Sequence, residues 1–265
     1  MLRVPINTFA AKKRPLRYFL KLAYRGTAFH GWQIQPNAIS VQELINQKLS
    51  LILGQPVNIV GAGRTDTGVH AREMYAHFDW EEPLVDKGKL LNGLNKMLSP
   101  DVLIDAIFPV KEDAHARFDA TERAYEYHIQ RKRSPFSGDL ASPIFIPLDF
   151  EAMQSAAQRL IFKGDFSSFS KSKTQTKTNI CELREAYWEQ RGDLWIFHIR
   201  ADRFLRNMVR AIVGSLLEVG KGRMTEAEFV EMIAAKDRRL AGESVPAQGL
   251  YLTRVVYPND IFLNG

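Results

Sequence analysis

Between two apolar segments the chain carries GAGRTDTGVHA (residues 61–71), a glycine-rich stretch holding one acid, one guanidinium and one imidazole. Arg64 stands two residues before Asp66. A guanidinium beside a carboxylate keeps it ionised at neutral pH and fixes its direction. A carboxylate held that way can act as a nucleophile or stabilise a developing cation. The same pair also serves, in many proteins, only to pin a turn. Charge and spacing leave both readings open. A dinucleotide loop fits poorly, because Asp66 occupies the place of the third glycine and no helical pattern begins there. A metal site from Asp66, His70 and His77 lacks recognised ligand spacing. Cys181 is the only cysteine, which excludes an internal disulfide or a cysteine cluster and reads as a small hydrophobe in a strand.

The elements that must position this segment follow from periodicity. Residues 17–25 alternate as a strand, with Tyr18, Leu20, Leu22 and Tyr24 on one face and Arg17, Phe19, Lys21 and Arg25 on the other. An aromatic among cations on one sheet face suits RNA, and equally a solvated outer face. Ser40 and Glu43 form a capping-box pattern ahead of a helix whose core side holds Val41, Leu44, Ile45, Leu49 and Ile52, with Gly54 closing it. VNIVG (57–61) and MYAHFDW (74–80) read as strands flanking the Asp66 segment, Asp86 caps a second helix, and residues 102–108 form another strand. In the second half, residues 123–131 are a strand, residues 149–162 a helix with Met153, Ala157, Leu160 and Ile161 inward, and residues 182–189 and 194–200 a hairpin turning at Gly192 and Asp193. A helix over 203–219, a Thr225-capped helix and a closing strand at 250–257 complete it. Strands and helices mix without regular β–α alternation. The pattern predicts an α+β fold of two related subdomains with mainly antiparallel sheets, meeting at a central basic cleft. The divisions are residues 1–16 as a basic arm, 17–115 and 116–265.

The formal net charge of +6 favours a polyanionic partner, nucleic acid first. Arg203, Arg206 and Arg210 share one stripe if residues 203–219 are helical, and Lys171, Lys173 and Lys177 lie in a polar loop (170–178). The apolar fraction of 45% is that of an ordinary globular protein. No run approaches the ~18 apolar residues of a membrane span, and the first residues lack a secretory pattern, so a cytoplasmic protein without membrane association is expected.

Several blocks together resemble the TruA-type tRNA pseudouridine synthases: FHGWQIQP (29–36), GAGRTDTGVHA (61–71), the RAY of 123–125, DFSSF (165–169), FLRNMVR (204–210), VGSLLEVG (213–220), AAKDR (234–238) and GLYL (249–252), in the family's order. The resemblance implies an isomerase that converts uridine to pseudouridine at positions 38, 39 and 40 of the tRNA anticodon stem-loop. It places the catalytic carboxylate on Asp66, its orienting partner on Arg64 and the active-site tyrosine on Tyr125, with Tyr127 the rival on the same strand face. Leu250 would pack against the target base, while Arg25, Arg203, Arg206 and Arg210 would meet the RNA. It also implies a homodimer. The reaction breaks the bond from N1 of uracil to ribose and rejoins the base through C5, a redox-neutral change that needs no cofactor. Asp66 could begin it at C6, at C1′ or through a glycal; Tyr125 would stack on the base and assist departure of the C5 proton.

Overall fold

A computed structural model describes residues 15–135, 138–171 and 178–263. Residues 1–14 of the expected arm, and Lys173 and Lys177, lie outside the described residues. The elements run β1 (Leu16–Tyr24), α1 (Val41–Leu53), β2 (Val60–Gly61), β3 (His70–Trp80), α2 (Lys87–Met97), β4 (Val102–Val110), β5 (Glu122–Gln130), β6 (Ser142–Pro143), α3 (Phe150–Gln158), β7 (Lys163–Asp165), β8 (Ile180–Arg191), β9 (Leu194–Ala201), α4 (Met208–Gly220), α5 (Glu226–Ala235) and β10 (Leu250–Val256). The fold is a mixed α+β one, as expected. Its strands join edge to edge in a single sheet, ordered β4-β1-β3-β10-β5-β9-β8-β7, with β2 beside β3 and β6 beside β5. β10 runs parallel to β3 and antiparallel to β5, so one strand links the two halves.

Two buried clusters lie along this sheet. One gathers Leu20, Leu22, Ile45, Leu49, Met74, Phe78 and Leu94, and receives Leu252, Val255, Tyr257 and Ile261 from the chain's far end. The other gathers Tyr127, Met153, Leu160, Phe169, Phe197, Ile212, Leu216 and Phe229, and takes Val69 and Leu250. α4 is apolar almost all round, as a helix buried between a sheet and other helices must be. Three helices are capped as the sequence indicated: Ser40, Asp86 and Thr225 each accept the backbone N–H three residues on. The reciprocal bond of a capping box forms only at Thr225–Glu228 among these.

Some expectations need correction. Phe19 is fully buried, its ring packed against Tyr75, Tyr257 and Phe262, so the outer face of β1 is covered by the segment after β10. The cations beside it are paired with acids, Arg17 with Asp79 and Lys21 with Glu73 and Asp105. The strand expected at 57–61 shrinks to Val60–Gly61, and the helix after Asp149 ends at Gln158, which leaves Ile161 exposed. The arginine stripe does not exist. Asn207 adopts a left-handed conformation (φ 66°), α4 starts only at Met208, and Arg203 and Arg206 lie on the irregular segment before it.

Candidate active site

The segment 61–71 is a loop that runs directly into β3. The Phe29–Trp32 stretch clamps it. The Trp32 N–H donates to the Thr65 carbonyl (3.3 Å), Gly68 N–H donates to the Phe29 carbonyl (3.4 Å), and the Tyr24 and Thr65 hydroxyls share a hydrogen bond (2.8 Å). Two glycines are required by shape. A Cβ on Gly61 would sit 2.4 Å from the Trp32 ring, and Gly68 holds φ +80°, where a side chain is strained. Together these contacts lift Asp66 out of the loop, its side chain 34% exposed.

The partner of Asp66 is Arg210. Its Nη1 donates to Asp66 Oδ2 at 3.2 Å, and its Nε donates to the Val245 carbonyl at 2.7 Å. Arg64, two residues from Asp66, is exposed and carries no ion pair among the described residues, so the expected Arg64–Asp66 pair is replaced by one that spans 144 residues of chain. Sequence inspection did contain a signal for this. Arg210 is the only charged residue in MVRAIVGSLL, and a guanidinium on a helix buried all round must find an acceptor.

A strap, residues 242–248, holds this pair from below. The Gly242 N–H donates to Ser215 Oγ (2.9 Å). Ser244 Oγ accepts from Asn207 Nδ2 (2.5 Å) and Arg238 Nη2 (3.0 Å). Val245 bonds Arg210 through both its backbone groups, Pro246 accepts the Tyr127 hydroxyl (2.8 Å), and the Gln248 carbonyl meets His70 Nε2 (3.1 Å). Gly26 N–H donates to His70 Nδ1, so His70 is the neutral tautomer protonated at Nε2, which agrees with a pKa lowered chiefly by burial. Arg238 also donates to the Ala241 carbonyl. Replacing Arg238 by alanine removes two bonds that fix the strap. It is expected to cost about 2 kcal/mol of stability, at ~1 kcal/mol per bond, measurable by urea unfolding.

Tyr125 lies on β5 in register with Leu252 and Ile199, with its ring perpendicular to Phe204 at 5.1 Å. Burial pushes its hydroxyl up to about 12; the nearby Arg123 guanidinium acts downward and the Asp66 charge upward. At neutral pH it is therefore a phenol. Tyr127 is wholly buried with its hydroxyl spent on Pro246, so Tyr125 is the tyrosine that shares the electrostatics of Asp66. Leu250 is buried opposite Tyr127 at the start of β10. Arg203 and Arg206 flank Phe204, and Arg206 is exposed. Arg25 binds Asp101 (2.8 Å) and precedes Gly26, which packs on the Asp66 loop at Gly68 and Val69. Arg123 escaped sequence reasoning as a site residue. Its guanidinium donates to the carbonyls of Arg117 (2.6 Å), Ala120 (2.6 Å), Asp202 (3.0 Å) and Ala62 (3.4 Å), tying two loops to the Asp66 segment.

This arrangement can present one carboxylate, paired with a guanidinium from the second half of the chain, beside an aromatic ring. Comparison with known proteins decides its family. A tRNA pseudouridine synthase from Parabacteroides distasonis is 54% identical over 93% of this chain and 98% of its own length. The chain belongs to the tRNA pseudouridine synthase family. The profile of that family matches residues 156–258, which include β8, β9, α4 and β10. Other synthases named tRNA pseudouridine synthase A are similar: one from Porphyromonas gingivalis is 51% identical over 93% of this chain and 99% of its own length, and one from Enterobacter sp. 40% identical over 91% and 90%. Family membership makes the chain an isomerase. Among the described residues no helix is long and apolar enough to cross a membrane.

Proposed function

We propose that this isomerase converts uridine to pseudouridine at positions 38, 39 and 40 in the anticodon stem-loop of tRNA, in the cytoplasm and as a homodimer, with Asp66 as its nucleophile. One observation supports this most. A partly exposed carboxylate is held by a guanidinium from the other half of the chain, within electrostatic reach of a partly buried phenol. Arg210 orients it, and Tyr125 stacks on the uracil and, as a phenol, takes part in proton movement at C5. Leu250 supports the base from the core side.

A paired uridine must leave its stack to reach Asp66, at a cost of a few kcal/mol. Arg64, without an ion pair among the described residues and two residues from Asp66, fills the space that the base vacates and offsets part of that cost. Arg203 and Arg206 meet phosphates of the same strand, and Arg25 a more distant one. The test is release of a hydrogen label from C5 of uridine in unmodified tRNA by the full chain. Release with one pseudouridine formed per label lost supports the reading; no release on any tRNA that the chain binds would make it a binding module. Arg206→Ala is expected to weaken tRNA binding by about threefold to tenfold and to lower the salt slope by ~1. An unchanged slope would remove Arg206 from phosphate contact.

A further inference from the structure

Phe118 is 73% exposed, yet the turn presenting it is held on several sides. His115 Nδ1 accepts the N–H groups of Arg117 (3.1 Å) and Phe118 (3.4 Å), while Asp119 Oδ2 accepts that of His115 (2.7 Å). The Ala116 carbonyl accepts the Tyr257 hydroxyl (2.6 Å), and its N–H donates to the buried His77 (3.2 Å). One flank of the phenyl ring lies against the His115 imidazole, with centroids 4.2 Å apart and planes 35° from parallel. The Arg117 guanidinium lies over the same ring, 5.7 Å from its centroid, and has no carboxylate partner among the described residues.

A solitary exposed apolar side chain is ordinary on a protein surface. This one differs in three respects. Its turn is rigid, its neighbour is an unneutralised cation, and its backbone is anchored to the Asp66 loop. A single guanidinium, Arg123, bonds both the Arg117 and the Ala62 carbonyls, and Tyr125 follows two residues later on the same strand face. A largely exposed aromatic ring, held on a fixed turn beneath a guanidinium that can swing to a phosphate, suits an unstacked nucleobase, since bases stack on aromatic rings irrespective of sequence.

We propose that Phe118 and Arg117 form a base-stacking subsite for an unpaired nucleotide of the RNA substrate flanking the target uridine, the ring taking the base and the guanidinium its phosphate. The proposal rests on the target lying at Asp66. Charge complementarity favours RNA over an apolar protein partner, because Arg64, Arg117 and Arg206 around this region are all exposed and without ion pairs among the described residues.

The test measures binding of an unmodified tRNA transcript to the full chain in an Asp66→Asn background, so that turnover does not enter. Phe118→Ala is expected to raise Kd roughly tenfold, within the range for loss of one base–aromatic stack. Phe118→Leu should lose as much, since it keeps apolar surface without a π-face, while Phe118→Trp should retain wild-type affinity. The salt slope should stay unchanged in all three and flatten in Arg117→Ala. Wild-type affinity in Phe118→Ala or Phe118→Leu would overturn the proposal. So would a changed oligomeric state on gel filtration with RNA affinity intact, which would make Phe118 a protein contact. Failure of Asp66 as the nucleophile would show in the label-release assay and leave these affinities untouched, so the two readings fail separately.

Discussion

Replacement of Asp66 by asparagine is expected to lower C5 label release by at least ~10⁴-fold, on the scale of losing a nucleophile. Asparagine keeps the shape of the side chain, and its amide oxygen can still accept the Arg210 N–H at the distance that Asp66 Oδ2 now holds, 3.2 Å. It carries neither the charge nor the nucleophilic oxygen. The loss should therefore appear in turnover alone, with thermal unfolding and tRNA affinity close to wild type. Residual activity above about one per cent would place the nucleophile elsewhere.

The second large effect is expected at Arg210. Its guanidinium bridges two acceptors on separate segments, Asp66 Oδ2 and the Val245 carbonyl, a task for a planar fork rather than a point charge. Arg210→Ala frees the carboxylate to rotate and slackens the strap. A reacting group misplaced by about 1 Å costs about 10²-fold, so single-turnover rates should fall by that order. Arg210→Lys should rescue only part of this, because one ammonium cannot serve both acceptors. The salt dependence of tRNA binding should not move, since the guanidinium is already spent within the protein. A flattened salt slope would show that Arg210 touches phosphate, the role that its place beside Arg203 and Arg206 in the sequence suggested.

The contrast between these two residues shows what the sequence could disclose. Asp66 sits in a short block of glycines and polar residues between strands, where charge and spacing left a turn-pinning pair and a reactive carboxylate both open, and the resemblance of the surrounding blocks singled it out. The helices were legible from local spacing: Ser40, Asp86 and Thr225 cap within three residues of themselves. What failed depended on distance or on a single dihedral angle. Arg64 is near Asp66 in sequence but is exposed, and the ion pair to Asp66 comes instead from a residue 144 positions away. Phe19 alternates as an outward residue, yet Tyr257 and Phe262 cover it from the far end of the chain. The stripe of three arginines was lost to one left-handed residue, Asn207, whose side chain bonds Ser244 instead of capping the helix. The joining of the two halves of the sheet through a parallel contact of β10 with β3 also has no local signature.

That junction has a consequence for biosynthesis. β10 follows every other strand in chain order but lies near the middle of the sheet, between β3 and β5. Synthesis is vectorial and earlier segments can fold first. Asp66 and its loop thus leave the ribosome long before Val245, which fixes Arg210, and before the strand that draws the two halves together. On the proposed role of Asp66, a nascent chain carries the acid without its alignment, and competence arrives only once β10 has been inserted.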